Sequence, residues 1–462
     1  MAARGLARSE AGTAPGRGGR LALALLLAVG AINYVDRVTL SVTSPMISAE
    51  LHLRPGETGV LLSSFLWAYA AAQAPAGVLA DRVAARPLLG GALGLWSAAQ
   101  AAAGLAASLP QLVGLRLALG LGEAPQWPVA ARVIQGRFAP QRRGLAMGVV
   151  NSASTLGPAV APPIVTALML AFGWRGAFVG TGLAGGLAAL AWLALYRDRS
   201  PQPAAPAANA VSPLRLFATP TLWAMVAGNF GAGYLNWFYA AWLPTYLESA
   251  RRLSVAQTGW AAGAPFLFGF LGSLGGGWVC DKLREAGLAP IASRKAPIVA
   301  GLAGAALFTG LALAAPSATT AVAAICGALF FANAAGAAIW GLAIVAAPEG
   351  RVAQAGAVQN LGGLVGGAVA PIVTGLSVEA THGFAAAMAV AAAAALTGSL
   401  VYLLGVNRPI EEGLAKSARP EPGELEARLL DVAASGETGA AASGPVLDAG
   451  GTASVTGPTD AI

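Results

Sequence analysis

Little in this chain can do chemistry in water. Two cysteines (Cys280, Cys326) and two histidines (His52, His382) occur in 462 residues. That excludes a disulfide framework and leaves neither thiol nor imidazole with partners at metal-ligand spacing. Charged residues make up only 11% and lysine occurs three times, too little charge to cover a soluble globule. No His-Glu-x2-His, Gly-x-Ser-x-Gly or Gly-x4-Gly-Lys-Ser/Thr stretch is present. The zinc-protease, serine-hydrolase and nucleotide-loop readings therefore fall away, and an enzymatic role with them. The net charge of +7 is spread over short segments, which reads as membrane topology and not as nucleic-acid affinity.

Apolar sequence fills the space left. Hydrophobic residues reach 56% with a mean hydropathy of +0.65. Apolar runs recur at 20–47, 58–80, 87–108, 110–134, 143–171, 174–196, 220–247, 255–280, 296–315, 318–345, 352–378 and 383–405. Most are near the ~20 residues that cross a ~30 Å hydrocarbon layer. The first follows Arg4, Arg8, Arg17 and Arg20 as a signal peptide would, but it is too long and holds Asp36-Arg37, so it reads as a retained helix. With the N-terminus inside, the even-numbered turns and both termini hold 22 of the 28 Lys/Arg, and the outer turns hold Arg54, Arg175, Arg251 and Arg252. This asymmetry predicts a multi-pass protein of the inner (plasma) membrane with both termini cytoplasmic.

The predicted organisation is a cytoplasmic segment 1–19, a six-helix half 20–196, a Pro/Ala-rich cytoplasmic linker 197–219, a second half 220–405 and an acidic, disordered tail 406–462. The halves repeat. Gly77-Val-Leu-Ala-Asp81-Arg82 returns as Gly277-Trp-Val-Cys-Asp281-Lys282, and Arg143–Val165 overlays Arg351–Val373 without a gap, matching Pro163 with Pro371. Parallel six-helix repeats build one large transporter class, with the substrate site between them near the midplane. The fold class expected is thus an all-α membrane protein of twelve helices in two pseudo-symmetric halves.

Charge inside those helices marks the site. Asp36 and Arg37 lie deep in the first run, where each ionisable group costs roughly 2.5–3.5 kcal/mol and usually serves a substrate, ion or proton path. Asn33, Arg37, Ser41 and Ser44 fall at helical spacing and form a polar stripe facing a water-filled cavity, with Asp36 at its border. Arg116 and Glu123 share one face of the fourth run. Tyr69 and Gln73, Asn151 and Ser154, Asn236 and Tyr239, and Gln359 and Asn360 add neutral polar groups. Such groups also join helices to one another.

Asn33-Tyr-Val-Asp36-Arg37, Gln73-Ala-Pro75-Ala-Gly77, Arg116-x3-Gly120-x-Gly122-Glu123-Ala-Pro125, Gly173-Trp174-Arg175-x2-Phe178 and Trp242-Leu-Pro-Thr-Tyr246-Leu247 resemble the anion:cation symporter branch of the major facilitator superfamily. The stretch 77–82 with Arg86 resembles that superfamily's loop signature, although Ala84 and Ala85 replace a commoner glycine and basic residue. The resemblance covers about residues 20–405. It implies proton-coupled uptake, by alternating access, of an organic carboxylate. A sugar acid of the galactonate, hexuronate or glucarate type comes first, and a phthalate-type aromatic acid is the alternative. A drug exporter or a non-transporting sensor on the same fold are more distant readings.

The expected roles follow. Arg37 anchors the carboxylate, since a guanidinium binds it bidentately and stays charged. Asp36 and Glu123 carry the proton, because Asp36 would repel a bound anion unless protonated. In the empty carrier Glu123 pairs with Arg37 or Arg116, unless Arg116 and Glu123 form a permanent structural contact. Tyr69, Gln73, Arg116, Asn151, Asn236, Tyr239 and Asn360 are candidates to touch substrate. Asp81, Arg82 and Asp281 are candidates for the gating loops. The absence of a basic residue in the seventh run counts against a dicarboxylate. No cofactor beyond the coupling proton, no metal and no nucleic acid is expected; the partners are the anion and membrane lipid, and the protein is expected to be monomeric.

Overall fold

The computed structural model describes residues 17–198, 217–348 and 351–410. The linker from 199 to 216, the first sixteen residues and the tail beyond 410 lie outside the described residues. All thirteen described helices belong to one compact unit. They are α1 (Arg17–Glu50), α2 (Pro55–Arg82), α3 (Ala85–Ala103), α4 (Leu109–Glu123), α5 (Gln126–Arg137), α6 (Pro140–Asn151), α7 (Ala153–Leu195), α8 (Pro220–Ser249), α9 (Val255–Glu285), α10 (Pro290–Ala314), α11 (Ala318–Ala346), α12 (Val352–Thr381) and α13 (Ala385–Gly405).

The helix starts follow local chemistry. Proline stands in the first turn of α2, α4, α6, α8 and α10, where its missing N–H costs nothing. Ser254 and Ser317 cap α9 and α11 through capping boxes. Two expected spans differ from the structure. The run 110–134 is interrupted at Ala124-Pro125, dividing it into α4 and α5. The run 143–171 is divided between α6 and α7 at Ser152, and its expected limit against 174–196 coincides with the break in α7 at Gly173, which has φ +71°. Only glycine enters that region without strain. The turn is then clamped: Trp174 Nε1 donates to Glu50 Oε2 at 2.6 Å, Arg175 pairs with Glu50 at 2.5 Å, and the Arg175 guanidinium lies 4.2 Å from the Trp174 ring centroid.

Seven segments of the described residues are long and apolar enough to cross a membrane: α1, the run Arg142–Leu195, α9, α10, α11, Gln354–Thr381 and α13. Helices α2 and α8 are of similar length, but Ser63, Ser64 and Gln73 in one and Asn229 and Asn236 in the other dilute their apolar stretches.

The buried core is divided. One cluster joins helices from before and after the linker, from Ile47, Leu61, Trp174 and Phe178 to Leu243, Tyr246, Leu247 and Phe384. It lies toward the end where the turns 51–54 and 250–254 sit. Toward the other end are two separate clusters. One is built almost entirely from α1 to α7, with Ala22, Ala80, Val133 and Trp192; the other is built from α8 to α13 and the residues after it, with Leu222, Ile298, Leu342 and Tyr402. The two helix sets are therefore sealed at one end and separate at the other.

Glycine makes the seal possible. A Cβ on Gly59 of α2 would stand 2.5 Å from the Pro371 carbonyl oxygen of α12, and one on Gly259 of α9 would stand 2.5 Å from the Thr166 hydroxyl of α7. Each of these glycines precedes its repeat glycine, Gly77 or Gly277, by the same interval, so the sequence repeat reappears as a matched pair of helix contacts. Ser63 donates to the Ala368 carbonyl on the same seam, and Gly56 N–H donates to Glu379 at 3.0 Å. Trp242 Nε1 donates to the Pro371 carbonyl at 3.1 Å. Gly59→Ala forces the backbones apart and should lower stability by about 1–3 kcal/mol; thermal unfolding of the purified protein reads this directly, and an unchanged midpoint would remove the seal argument.

Candidate functional site

A cavity of about 370 Å³ lies between α1, α2, α4 and α7 on one side and α8, α9, α11 and α12 on the other, within the usual range for small-molecule sites. Arg37, Ser41 and Arg116 contribute from the first set of helices, and Asn229, Asn236, Asn333 and Asn360 from the second. Phe65, Trp237, Phe266, Phe270 and Trp340 supply aromatic surface.

Successive residues on a helix point about 100° apart, so Asp36 and Arg37 diverge. Arg37 faces the cavity, its Nε donating to Glu123 Oε2 at 2.8 Å, while Glu123 Oε1 has no partner. The guanidinium is held among rings, 4.7 Å from the Phe65 centroid, 4.8 Å from Tyr69 and 5.1 Å from Tyr34. Arg116 shares the Phe65 ring at 5.5 Å and donates to the Asp36 carbonyl at 3.3 Å. Cation–π contacts of this kind hold a charge in place without consuming its N–H groups, so both arginines keep donors for a ligand. Among the described residues Arg116 and Glu123 form no ion pair; the pair made is Arg37–Glu123.

Asp36 turns away from the cavity, beside Trp96 of α3 and Thr181 of α7. It is fully buried, and neither carboxylate oxygen has a hydrogen bond of normal geometry. Asn33, Ser97, Gln100 and Gln126 are buried too, each with an unpartnered side-chain atom. Asp36, Glu123, Arg37 and Arg116 thus bring two acidic and two basic side chains into the buried interior.

The other sequence candidates separate. Asn236 and Asn360 line the cavity. Tyr69 is buried beneath Arg37 and positions it from outside the lining. Gln73 is half-buried and outside the cavity. Asn151 is exposed at the end of α6, where the helix breaks. Tyr239 is buried away from the cavity, its hydroxyl donating to Thr309 of α10 at 3.0 Å. Gln359 is a helix tie, donating to the Ile339 carbonyl at 3.0 Å. In the stripe on α1, Ser44 lies against Thr245 at 3.2 Å instead of lining the cavity. Asp81 and Arg82 are exposed and carry no ion pair among the described residues, whereas Asp281 pairs with Arg294 at 3.3 Å.

Sequence reading missed Asn229 and Asn333. Asn229 is two turns before Asn236 on one helix face, a legible spacing; Asn333 is a lone amide in an Ala-rich helix and carries no pattern of its own.

Residues 26–350 match the sequence model of the Major Facilitator Superfamily. The chain is 40% identical over 407 residues to the probable L-galactonate transporter of Escherichia coli strain K12, covering 85% of this chain and 90% of that one. It is 30% identical over 420 residues to the D-galactonate transporter of Escherichia coli O6:H1, covering 85% and 96%. In structure it is similar to a bacterial homologue of the human lysosomal transporter Spinster, inward-facing and unoccupied, with a TM-score of 0.76 at 20% identity, covering 88% of this chain and all of that one.

Breaking a buried ion pair strands the remaining charge. Glu123→Ala should therefore cost about 3–5 kcal/mol and Glu123→Gln, which keeps a hydrogen-bond acceptor for Arg37, clearly less. Paired thermal melts test this; equal losses would mean that the lost charge accounts for the whole cost and the retained acceptor contributes nothing.

Proposed function

The chain belongs to the Major Facilitator Superfamily, and from that premise we propose that it takes up an organic carboxylate, a sugar acid, together with protons by alternating access. The observation that carries the reading is the cavity arginine, Arg37, held by Glu123 and aromatic rings in a buried group of two acidic and two basic side chains, whose charges balance when all four are ionised. An entering anion offsets that balance unless a positive charge enters with it. A proton on Glu123 meets the need and releases Arg37 to the carboxylate. Asp36, one residue away and outside the cavity, is a second place for the proton to reside.

The membrane layout proposed is twelve spans in two sets of six. Helices α4 and α5 form one span broken at Pro125, and α6 with the first part of α7 and then the second part of α7 form two more. The described conformation, sealed at one end and separate at the other, is one of the two states that alternating access requires. The distribution of Lys/Arg supports cytoplasmic termini and, with them, an open end that faces inward. The unpaired Asp81 and Arg82 lie toward that open end, where closing the inner mouth would engage them. The names of the relatives, both galactonate transporters, support a sugar acid. The rings of Trp237, Trp340, Phe266 and Phe270 favour an aromatic carboxylate as the second reading.

The test is uptake into proteoliposomes under an inward proton gradient, with galactonate, glucuronate, glucarate and phthalate as substrates. One acid should accumulate. Arg37→Gln should reduce its uptake on the order of a hundredfold, as loss of a buried charge-assisted contact does. Glu123→Gln should retain exchange of labelled for unlabelled acid while losing gradient-driven accumulation. If Glu123→Gln accumulates substrate as the native protein does, Glu123 carries no coupling proton.

A further inference from the structure

The cavity is chemically lopsided. Among the described residues that line it, Arg37 and Arg116 are the only charged ones, and both come from α1 and α4. The helices after the linker contribute four asparagines and no cation. Two of these are locked into one hydrogen-bonded chain. Asn333 Nδ2 donates to the Leu329 carbonyl at 2.9 Å and to Asn236 Oδ1 at 3.3 Å, and Asn236 Nδ2 donates in turn to the Ala232 carbonyl at 3.0 Å.

Backbone carbonyls at both ends fix the orientation of this chain, because turning either amide over would set oxygen against oxygen. Both N–H groups of Asn333 are consumed, so toward a ligand it is an acceptor alone. Among the described residues its Oδ1 takes no hydrogen bond. Asn229 is oriented by one N–H of its Nδ2, which donates to the Gln359 carbonyl at 3.0 Å, and keeps the other. A hydroxyl can donate to the Asn333 oxygen and accept from a neighbouring amide. A carboxylate has no proton to offer that oxygen and finds no cation on this wall, so burying one there leaves its charge without a counter-charge.

We propose that the Asn333–Asn236 chain makes the second wall a hydroxyl reader. It sets the substrate's carboxylate at Arg37 and Arg116 and its hydroxylated, uncharged end at the asparagines, and selects sugar monoacids against sugar diacids. This rests on the carboxylate reading above. Asn333 is then the residue that fixes which end of the substrate faces which wall.

Galactonate and galactarate share one carbon skeleton and differ only where a terminal hydroxymethyl group becomes a second carboxylate. Their binding to the purified, full-length protein in detergent, by calorimetry, compares the two ends directly. Galactonate should bind at least about tenfold more tightly, the value of one hydrogen bond made or left unmade. Asn333→Leu, of similar volume in an apolar helix, should weaken galactonate about tenfold and narrow the gap. Asn333→Lys, which places a cation on that wall, should move the preference toward galactarate. Thermal unfolding of each variant confirms that it is folded. If galactonate binds but galactarate binds equally well, or if Asn333→Leu changes neither affinity, the hydroxyl-reading role is overturned while the carboxylate reading stands. If the folded native protein binds neither acid, nor glucuronate nor phthalate, the carboxylate reading itself falls and the selectivity with it.

Discussion

A guanidinium buried in a hydrocarbon setting is what the site depends on. Arg37 has 9% of its side chain accessible, and Glu123, its partner, has none. Such a pair is not a strong source of stability, because desolvation cancels most of the attraction. It persists where another use keeps it, and the surroundings indicate that use. Three aromatic rings stabilise the cation through their faces and so leave the planar edge of the guanidinium for hydrogen bonding. The pair is therefore well held in place and chemically incomplete, with Glu123 Oε1 and Arg37 Nη2 lacking partners.

Movement around such a site needs helices that can meet closely at one end and part at the other. Residues without side chains supply this. Gly59 against Pro371 and Gly259 against Thr166 bring backbone to within contact distance across the two helix sets, and the repeat places them at matching positions. Close packing of this kind gains dispersion energy only while the surfaces are in register. The glycine contacts of the seal can thus part without a side chain of their own to expose. The separate clusters toward the opposite end are bound each within its own set, which lets each set move as a unit.

Much of this was legible in the sequence, and the part that was not has a physical pattern. Asp36, Arg37, Arg116 and Glu123 stood out because charge is rare in apolar runs, and rarity survives without coordinates. The direction each faces did not follow from rarity. Asp36 was placed beside the cavity stripe and lies behind it, since one residue step turns a side chain through a quarter of the helix circumference. Tyr239 and Asn151 failed to reach the cavity for similar reasons: a partner on α10 claimed one, and a break at the end of α6 exposed the other. Helix limits differ at Pro125 and Ser152, which interrupt runs that are continuous in hydropathy, whereas the limit read between 171 and 174 coincides with the left-handed Gly173. Asn333 escaped notice because its meaning lies wholly in its partners.

The two walls divide the work of recognition. Charge sits on α1 and α4, and any anion of suitable size satisfies it. Neutral amides sit on α8, α11 and α12, and they can distinguish one anion from another. A guanidinium attracts every carboxylate through a long-ranged field, so it gives affinity and little discrimination. An oriented amide acts only within hydrogen-bond distance and penalises a mismatched group by leaving a buried polar atom unpaired. Under the proposed function, keeping the two on different helices would let substrate preference change on one wall while the charge arrangement proposed to couple the proton stays intact on the other. Substitutions in α8 and α11 would then alter which acid is carried, and substitutions in α1 and α4 whether carriage is driven at all.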